Sequence, residues 1–533
     1  MSITALLSLP LSNAIVDSYN MHSLSICVLF LLFFLCYLLL LKTKKYVVLK
    51  HNNNHKFLPP PSPPKLPLLG HLHLLGSHPH RSLWNLSRTY SPVMLLKFGP
   101  VPTVIISSAM VAKELFKRHD LASCSRPRLA ATAKYSYNFL DLIFSSYDDR
   151  WRELRKICIA ELFSPKRVQS FQHIREEEVN QLLNAISQSS SSSTLFDFTA
   201  KTYSLTTNIL TRIAFGKSIR ESESKLDDCD VERVIQRASA AIGSFSASDL
   251  FPSFGWIIDR LTGVHGRLEK NVEELDAFLE HVIKDRINFW AACQKEENIL
   301  DVLLRMERDC YEFGSIKFTR DCIKAVVMDL FLAGVETGAN TLVWTMTELV
   351  RNSKVMKKLQ REIRSTITKQ DQVKENELEK LQYLKMVVKE ALRLHPPLPL
   401  LLPRETMSHF KLNGYDIHPK TRIHVNVWAI GRDANSWKNP QEFCPERFME
   451  SDIDYKGQNF ELIPFGAGRR ICPGVNMGMA MVELALANML LCFDWKLPNG
   501  MKEEDLDMEE DFGITVSKKS PLQLIPIPYF NSN

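Results

Sequence analysis

Residues 465–474 read Phe-Gly-Ala-Gly-Arg-Arg-Ile-Cys-Pro-Gly, and an apolar stretch of helical character follows from about Val475 to Cys492. Few folds can use such a segment. Its glycines permit backbone turns that other residues resist, so several amide groups can converge on one sulfur. The helix that follows brings the positive end of its dipole toward Cys472 and favours the thiolate. Arg470, two residues earlier, can meet an anionic group at the same place. A cysteine in a glycine-rich turn is by itself more often structural. The full pattern F-x-x-G-x-R-x-C-x-G is far more specific.

Composition narrows the remainder. The chain has 533 residues, 45% of them apolar, which is too much for disorder. The net charge of +6 is mild for this length, and the basic residues form no dense stripe with interleaved aromatics. Nucleic acid is therefore not an expected partner. The cysteines number 11, an odd count without a C-x-x-C pair, and support neither a zinc site nor a disulfide framework.

Residues 24–41 carry no charge and are long enough to span a bilayer. Lys42, Lys44 and Lys45 follow directly, whereas the twenty residues before Met21 hold no Lys or Arg. An anchor is favoured over a cleaved signal, and the positive-inside rule keeps the lysines cytosolic. The expected organisation is a lumenal extension at 1–23, a transmembrane anchor at 24–41, a basic and proline-rich linker at 42–70, and one large domain at 71–533. The prolines of residues 58–70 make a stiff, non-helical spacer.

Helical periodicity runs through 166–187 and 267–291, with a loop at 189–193 between helices. Residues 101–107 are rich in β-formers, Asn413-Gly414 predicts a hairpin over 409–417, and 421–427 reads as a further strand. A long apolar helix is expected at 322–349. It is interrupted by Ala333-Gly-Val-Glu-Thr-Gly338, where glycines four apart lie on one face and open a shallow groove bordered by Ala333 and Thr337. Close helix packing would explain the same glycines. Glu390 and Arg393, three apart on a helix, can pair.

The loop at 465–474 resembles the cysteine-ligand loop of the cytochrome P-450 superfamily, the haem-thiolate monooxygenases. The segments SYDDRWRELRK, YLKMVVKEALRLHPP and ELIPFGAGRRICPG are similar to those of its plant microsomal A-type clan. The resemblance implies a mainly α fold with small β-sheets, a single large domain behind an N-terminal membrane anchor. It implies haem b, with Cys472 as the axial thiolate on iron. Trp151, Arg155, Arg404, Phe465 and Arg470 become cofactor-binding residues, the arginines facing the haem carboxylates. Glu336 and Thr337 match an acid–alcohol pair that delivers protons at the oxygen site, and Gly338 departs from the hydroxyl residue common among relatives. Glu390, Arg393 and Arg447 match a buried structural network. Phe331, Ala333, Gly334, Leu398, Leu400, Leu401 and Ile514 are placed around the substrate.

The implied partners are an NADPH-cytochrome P-450 reductase, O2, membrane lipid and a small hydrophobic substrate. The catalytic domain would face the cytosol from a single-pass position in the endoplasmic reticulum membrane. The expected function is hydroxylation of a hydrophobic plant specialised metabolite, a terpenoid, alkaloid or phenylpropanoid. Oxidative coupling, desaturation or rearrangement on the same fold is a second reading. A haem or lipophile binding protein without turnover is a third.

Overall fold

The computed structural model describes residues 57–192, 194–216, 228–244, 246–290, 297–309, 312–313, 316–368 and 372–529. Contacts divide the chain into Met1–Leu58 and Pro59–Asn533. The lumenal extension, the anchor and linker residues 42–56 lie outside the described residues. Residues 59–70, expected in the linker, are folded onto the second unit. The Leu95 amide donates to the Pro61 carbonyl at 3.0 Å, and Gly70 bridges Phe98.

The second unit is mostly helical with small sheets. Its elements used below are α1 (Pro79–Thr89), β1 (Val93–Phe98), β2 (Val101–Ile106), α2 (Asp149–Glu161), α3 (Gln172–Ser191), α4 (Phe198–Phe215), α5 (Asp228–Gly243), α6 (Val264–Trp290) and α7 (Arg320–Arg351). Then come α8 (Gln382–Leu394), β3 (Arg404–Glu405), β4 (Phe410–Leu412), β5 (Tyr415–Ile417), β6 (Arg422–Val425), α9 (Val475–Cys492), β7 (Glu510–Phe512) and β8 (Val516–Lys518).

Several boundaries differ from those expected. The helix at 166–187 breaks at Phe171 into Pro165–Ser170 and α3. The serine run does not start a loop at 189, because Ser191 Oγ and Ser192 Oγ bond back to the carbonyls of Ser187 and Gln188 and prolong the last turn. The hairpin β4–β5 forms as expected around Asn413 and Gly414, both at positive φ. The strand expected at 421–427 ends at Val425 and turns into a short helix from Val427.

One sheet, in the order β1-β2-β6-β3, holds the far edge of the site. β2 and β6 run parallel, with Thr103 opposite Arg422, while β3 lies antiparallel with Arg404 opposite Ile423. That register fixes where the Arg404 side chain begins.

α7 is the centre of the body and packs against α4, α8 and α9. It is one continuous helix, as expected over 322–349, and runs unbroken through the glycine-containing segment at 333–338. From Val335 to Val350 every residue but Thr337 is buried, while Ala333 and Gly334 just before are exposed and half-buried, so the helix opens over 333–337. The two glycines serve packing. A Cβ on Gly334 would lie 2.7 Å from the Leu210 side chain of α4, and one on Gly338 would lie 2.3 Å from the Met481 methyl of α9. α9 is long and apolar enough to cross a membrane, but 72% of it is buried inside the fold. At about 1.5–3 kcal/mol for each fully buried large aliphatic side chain, its place is the core.

Candidate active site

The site is assembled from four loops or helix ends that meet under α7. In the cysteine loop, Gly466 and Gly468 have φ of 72° and 69°, the left-handed region that side chains resist. At Gly468 a Cβ would also stand 2.5 Å from Asp120 Oδ1. The Cys472 amide donates to the Phe465 carbonyl at 3.0 Å and closes the loop. α9 begins three residues later at Val475. Burial raises the Cys472 thiol pKa, opposed by the Gly474 amide and the Arg155 charge, so the protein supplies two groups that favour thiolate.

α2 starts where the Asp148 side chain accepts the Trp151 amide at 2.8 Å. Arg155, one turn on, lies 5.5 Å from the Trp151 ring and donates to the Ile471 carbonyl at 2.6 Å, next to Cys472. Trp151 is 2% exposed and its indole nitrogen donates to the Leu142 carbonyl at 2.9 Å. It does not reach the cavity. Its ring instead seats Arg470, whose guanidinium lies 3.8 Å above it. Arg470 donates to the carbonyls of Cys124 and Ser145, at 2.9 and 2.6 Å.

Cys472 and the groove at Ala333, Gly334 and Thr337 line one cavity. Its wall also contains Arg126, Arg155, Arg404 and Arg470. Arg126 was missed in the sequence, where nothing separates Ser125-Arg-Pro127 from an ordinary turn. It donates to the carbonyls of Ile143, Leu402 and Pro403 at 3.1, 2.8 and 2.9 Å. Arg404 pairs with Asp120 at 2.8 Å and donates to the Ala467 carbonyl. Burial pulls Arg470 down to about 9 and Arg126 well below the usual guanidinium range, and their mutual repulsion with Arg404 adds to it. A cluster of desolvated cations held mainly by carbonyls needs anionic company. Two carboxylates of a planar cofactor lying between α7 and the cysteine loop fit that requirement.

Two acids lie close by. Asp329 of α7 lines the cavity and accepts the Leu142 amide at 2.6 Å. Burial, and then the charge of neighbouring Asp141, lifts its pKa well above the usual carboxylate range. Asp329 also accepts the Ile143 amide at 3.3 Å, and the two backbone bonds tie the 141–144 loop to α7.

The expected acid–alcohol pair is split between two surroundings. Thr337 lines the cavity, and its Oγ1 donates to the Ala333 carbonyl at 2.6 Å. Glu336 is 8% exposed and lies outside the wall, its Oε2 accepting the Thr515 hydroxyl at 2.7 Å. Burial raises its pKa, against the Thr515 and Ser239 hydroxyls that lower it.

Ala333, Gly334, Leu398, Leu401 and Ile514 line the cavity with Phe465. Phe331 and Leu400 do not. Phe331 stacks on Phe215 with ring centroids 5.5 Å apart, and Leu400 packs against the cluster of Leu83, Met94 and Ile105. Both are apolar residues beside lining residues, and only their rotation about the backbone sends them elsewhere.

Glu390, Arg393 and Arg447 come together away from the cavity. Arg393 bridges both oxygens of Glu390 at 2.8 Å, and Arg447 Nε reaches Oε1 at 2.9 Å. Glu390 and Arg393 are at most 1% exposed.

The family model for cytochrome P450 matches residues 60–525. Cytochrome P450 71B37 of Arabidopsis thaliana is 51% identical over 470 residues, spanning 88% of this chain and 93% of that protein. Cytochrome P450 71B36 of the same plant is 50% identical over the same shares. Among solved structures, a zebra fish cytochrome P450 with progesterone superposes with a TM-score of 0.72 over 85% of this chain and all of that one, at 23% identity, a likeness of fold. With half its residues shared across nearly the whole length of these plant relatives, the chain belongs to the cytochrome P450 family, within the plant A-type clan, and is a cytochrome P450 monooxygenase.

Proposed function

We propose that this monooxygenase hydroxylates a hydrophobic plant specialised metabolite, of the terpenoid, alkaloid or phenylpropanoid class. O2 is the co-substrate, and electrons come from NADPH through a cytochrome P450 reductase. The observation that carries this reading is one apolar cavity bounded by Cys472 on one side and the Ala333–Thr337 groove of α7 on the other, ringed by arginines. Anchored by residues 24–41, the catalytic body would face the cytosol from the endoplasmic reticulum membrane.

Haem b would be held by the Cys472 sulfur, by Arg155, Arg404, Arg470 and Arg126 pairing with its carboxylates, and by Phe465, and would supply the oxygen-activating redox chemistry. Trp151 acts through Arg470, whose guanidinium it seats. Thr337 has committed its own proton to Ala333, so its lone pairs face the groove and orient a proton donor there. Glu336 reaches the cavity through Thr515, and burial raises its proton affinity, which suits a carboxyl that takes up and returns a proton. The apolar wall excludes bulk water and selects a substrate of matching character.

The test uses microsomes holding this protein and a plant reductase, given NADPH and a fractionated plant metabolite extract, with masses followed over time. A compound that gains one oxygen supports hydroxylation. One that loses two hydrogens replaces it with desaturation or coupling. No change, together with an intact thiolate–CO spectrum across several extracts, would favour a binding protein.

A further inference from the structure

Hydroxyl side chains break the apolar pattern of the cavity wall. Four hydroxyl side chains line it: Ser239 of α5, Thr337 and Thr341 of α7, and Thr515 in the turn between β7 and β8. Three have spent their protons. Thr337 donates to Ala333, Thr341 to the Thr337 carbonyl at 2.7 Å, and Thr515 to Glu336. Ser239 is 3% exposed, and its Oγ meets no partner with hydrogen-bond distance and angle among the described residues, the nearby Glu336 carboxyl included. A buried hydroxyl left without a partner costs about 1–3 kcal/mol, so its retention in a cavity wall calls for a ligand group or water.

Packing explains why Ser239 and Thr515 share this corner. Gly243, one helical turn after Ser239 and on the same face of α5, lies where a Cβ would stand 2.2 Å from the Ile514 amide nitrogen. The end of α5 therefore rests backbone to backbone on the 513–515 turn, bringing Ser239 beside Thr515. Thr515 is held from behind by Glu336 and approached by Asn340 Nδ2 at 3.4 Å, itself bonded to Tyr203. Ile242, Ile209 and Leu210 complete the surroundings with aliphatic surface.

We propose that Ser239 and Thr515 form a polar subsite for one hydroxyl group of the substrate, so that the natural substrate is a hydrophobic skeleton already carrying an alcohol. Thr515 Oγ1, its proton given to Glu336, offers only an acceptor. Ser239 Oγ offers both a donor and an acceptor. A group that gives one proton and takes one satisfies both, which an alcohol does and an ether or hydrocarbon does not. The Ser239 hydroxyl is near enough to the Glu336 carboxyl to lower its pKa, but it meets no partner there with hydrogen-bond distance and angle. The chain must then act after a reaction that has installed or unmasked that hydroxyl, such as an earlier hydroxylation or a phosphate-ester hydrolysis.

This inference rests on the haem-thiolate reading, and its test separates the two. The haem-loaded protein is titrated with 1-alkylimidazoles from hexyl to dodecyl, and with the same series ending in a hydroxyl. The imidazole anchors each probe at the iron and gives a spectral shift, while chain length sets how far the other end reaches. The subsite predicts one length at which the hydroxyl probe binds about fivefold tighter than its methyl-ended partner, the worth of one hydrogen bond. In Ser239→Ala that preference disappears and the methyl series is unchanged. A hydroxyl penalty at every length, or a preference that survives Ser239→Ala and Thr515→Val, overturns the subsite. If no imidazole shifts the spectrum, the haem-site reading fails, and the subsite with it.

Discussion

Removing the Glu390 carboxylate tests whether the buried triad holds the cofactor-side core. Both oxygens of Glu390 are occupied, by Arg393, Arg447 and the Cys444 amide at 2.7 Å. In Glu390→Ala, Arg393 keeps the carbonyls of Gly431, Pro440 and Glu442 but loses its only ionic partner among the described residues while remaining 1% exposed. Stranding a charge in this way costs about 3–5 kcal/mol. A body spanning Pro59–Asn533 gains about 1 kcal/mol per kelvin of unfolding entropy, at about 2 cal/mol/K per residue. The apparent melting temperature should therefore fall by about 3–5 °C, a modest shift for a large free-energy change. Scanning calorimetry of the haem-loaded protein, with the thiolate–CO band followed in parallel, measures it. The double variant Glu390→Leu with Arg393→Leu removes both charges and should recover part of the loss. If Glu390→Ala melts with the parent, or the double variant melts well below Glu390→Ala, the stranded-charge reasoning is refuted.

Cys472→Ser should abolish the red-shifted ferrous–CO band, and a variant that kept it would place the ligand elsewhere. Thr337→Ala should leave that band intact while diverting NADPH from product to reduced oxygen, whereas Thr337→Ser should restore coupling; equal coupling in all three would remove the hydroxyl from proton delivery. Glu510 would be raised by burial, but the hydrogen bond and charge of His80 and the Arg81 guanidinium outweigh this and hold it at about 2. Its ionised form thus stabilises the fold above the unfolded value of about 4.3, and this is lost as pH falls toward 2. Glu510→Gln should flatten the acid limb of stability against pH, and an unchanged limb would contradict that. Gly338→Ser pushes a Cβ against the Met481 methyl and should cost about 1–3 kcal/mol, recovered by Met481→Ala; a neutral single variant would mean that the methionine simply swings aside.

The sequence by itself determined the local chemistry. Loop 465–474 declared a cysteine presented by glycines, α9 follows at the expected residue, and Glu390 with Arg393 announced a pair through their three-residue spacing. These features are written in neighbouring residues, where backbone geometry alone decides what meets what. Partners distant in the chain were decided only by the tertiary structure. Arg470 meets the Cys124 carbonyl across 346 positions, Arg126 joins the other arginines through Leu402 and Pro403, and Trp151 turns from the cavity to support Arg470. The acid and alcohol at 336 and 337 are adjacent in sequence, yet about 100° of helical rotation separates them, so one faces the cavity and the other faces Thr515. Periodicity tells which residues share a helix face. What lies opposite that face depends on how helices from distant parts of the chain pack, and that packing sent Ser239 to the corner beside Thr515.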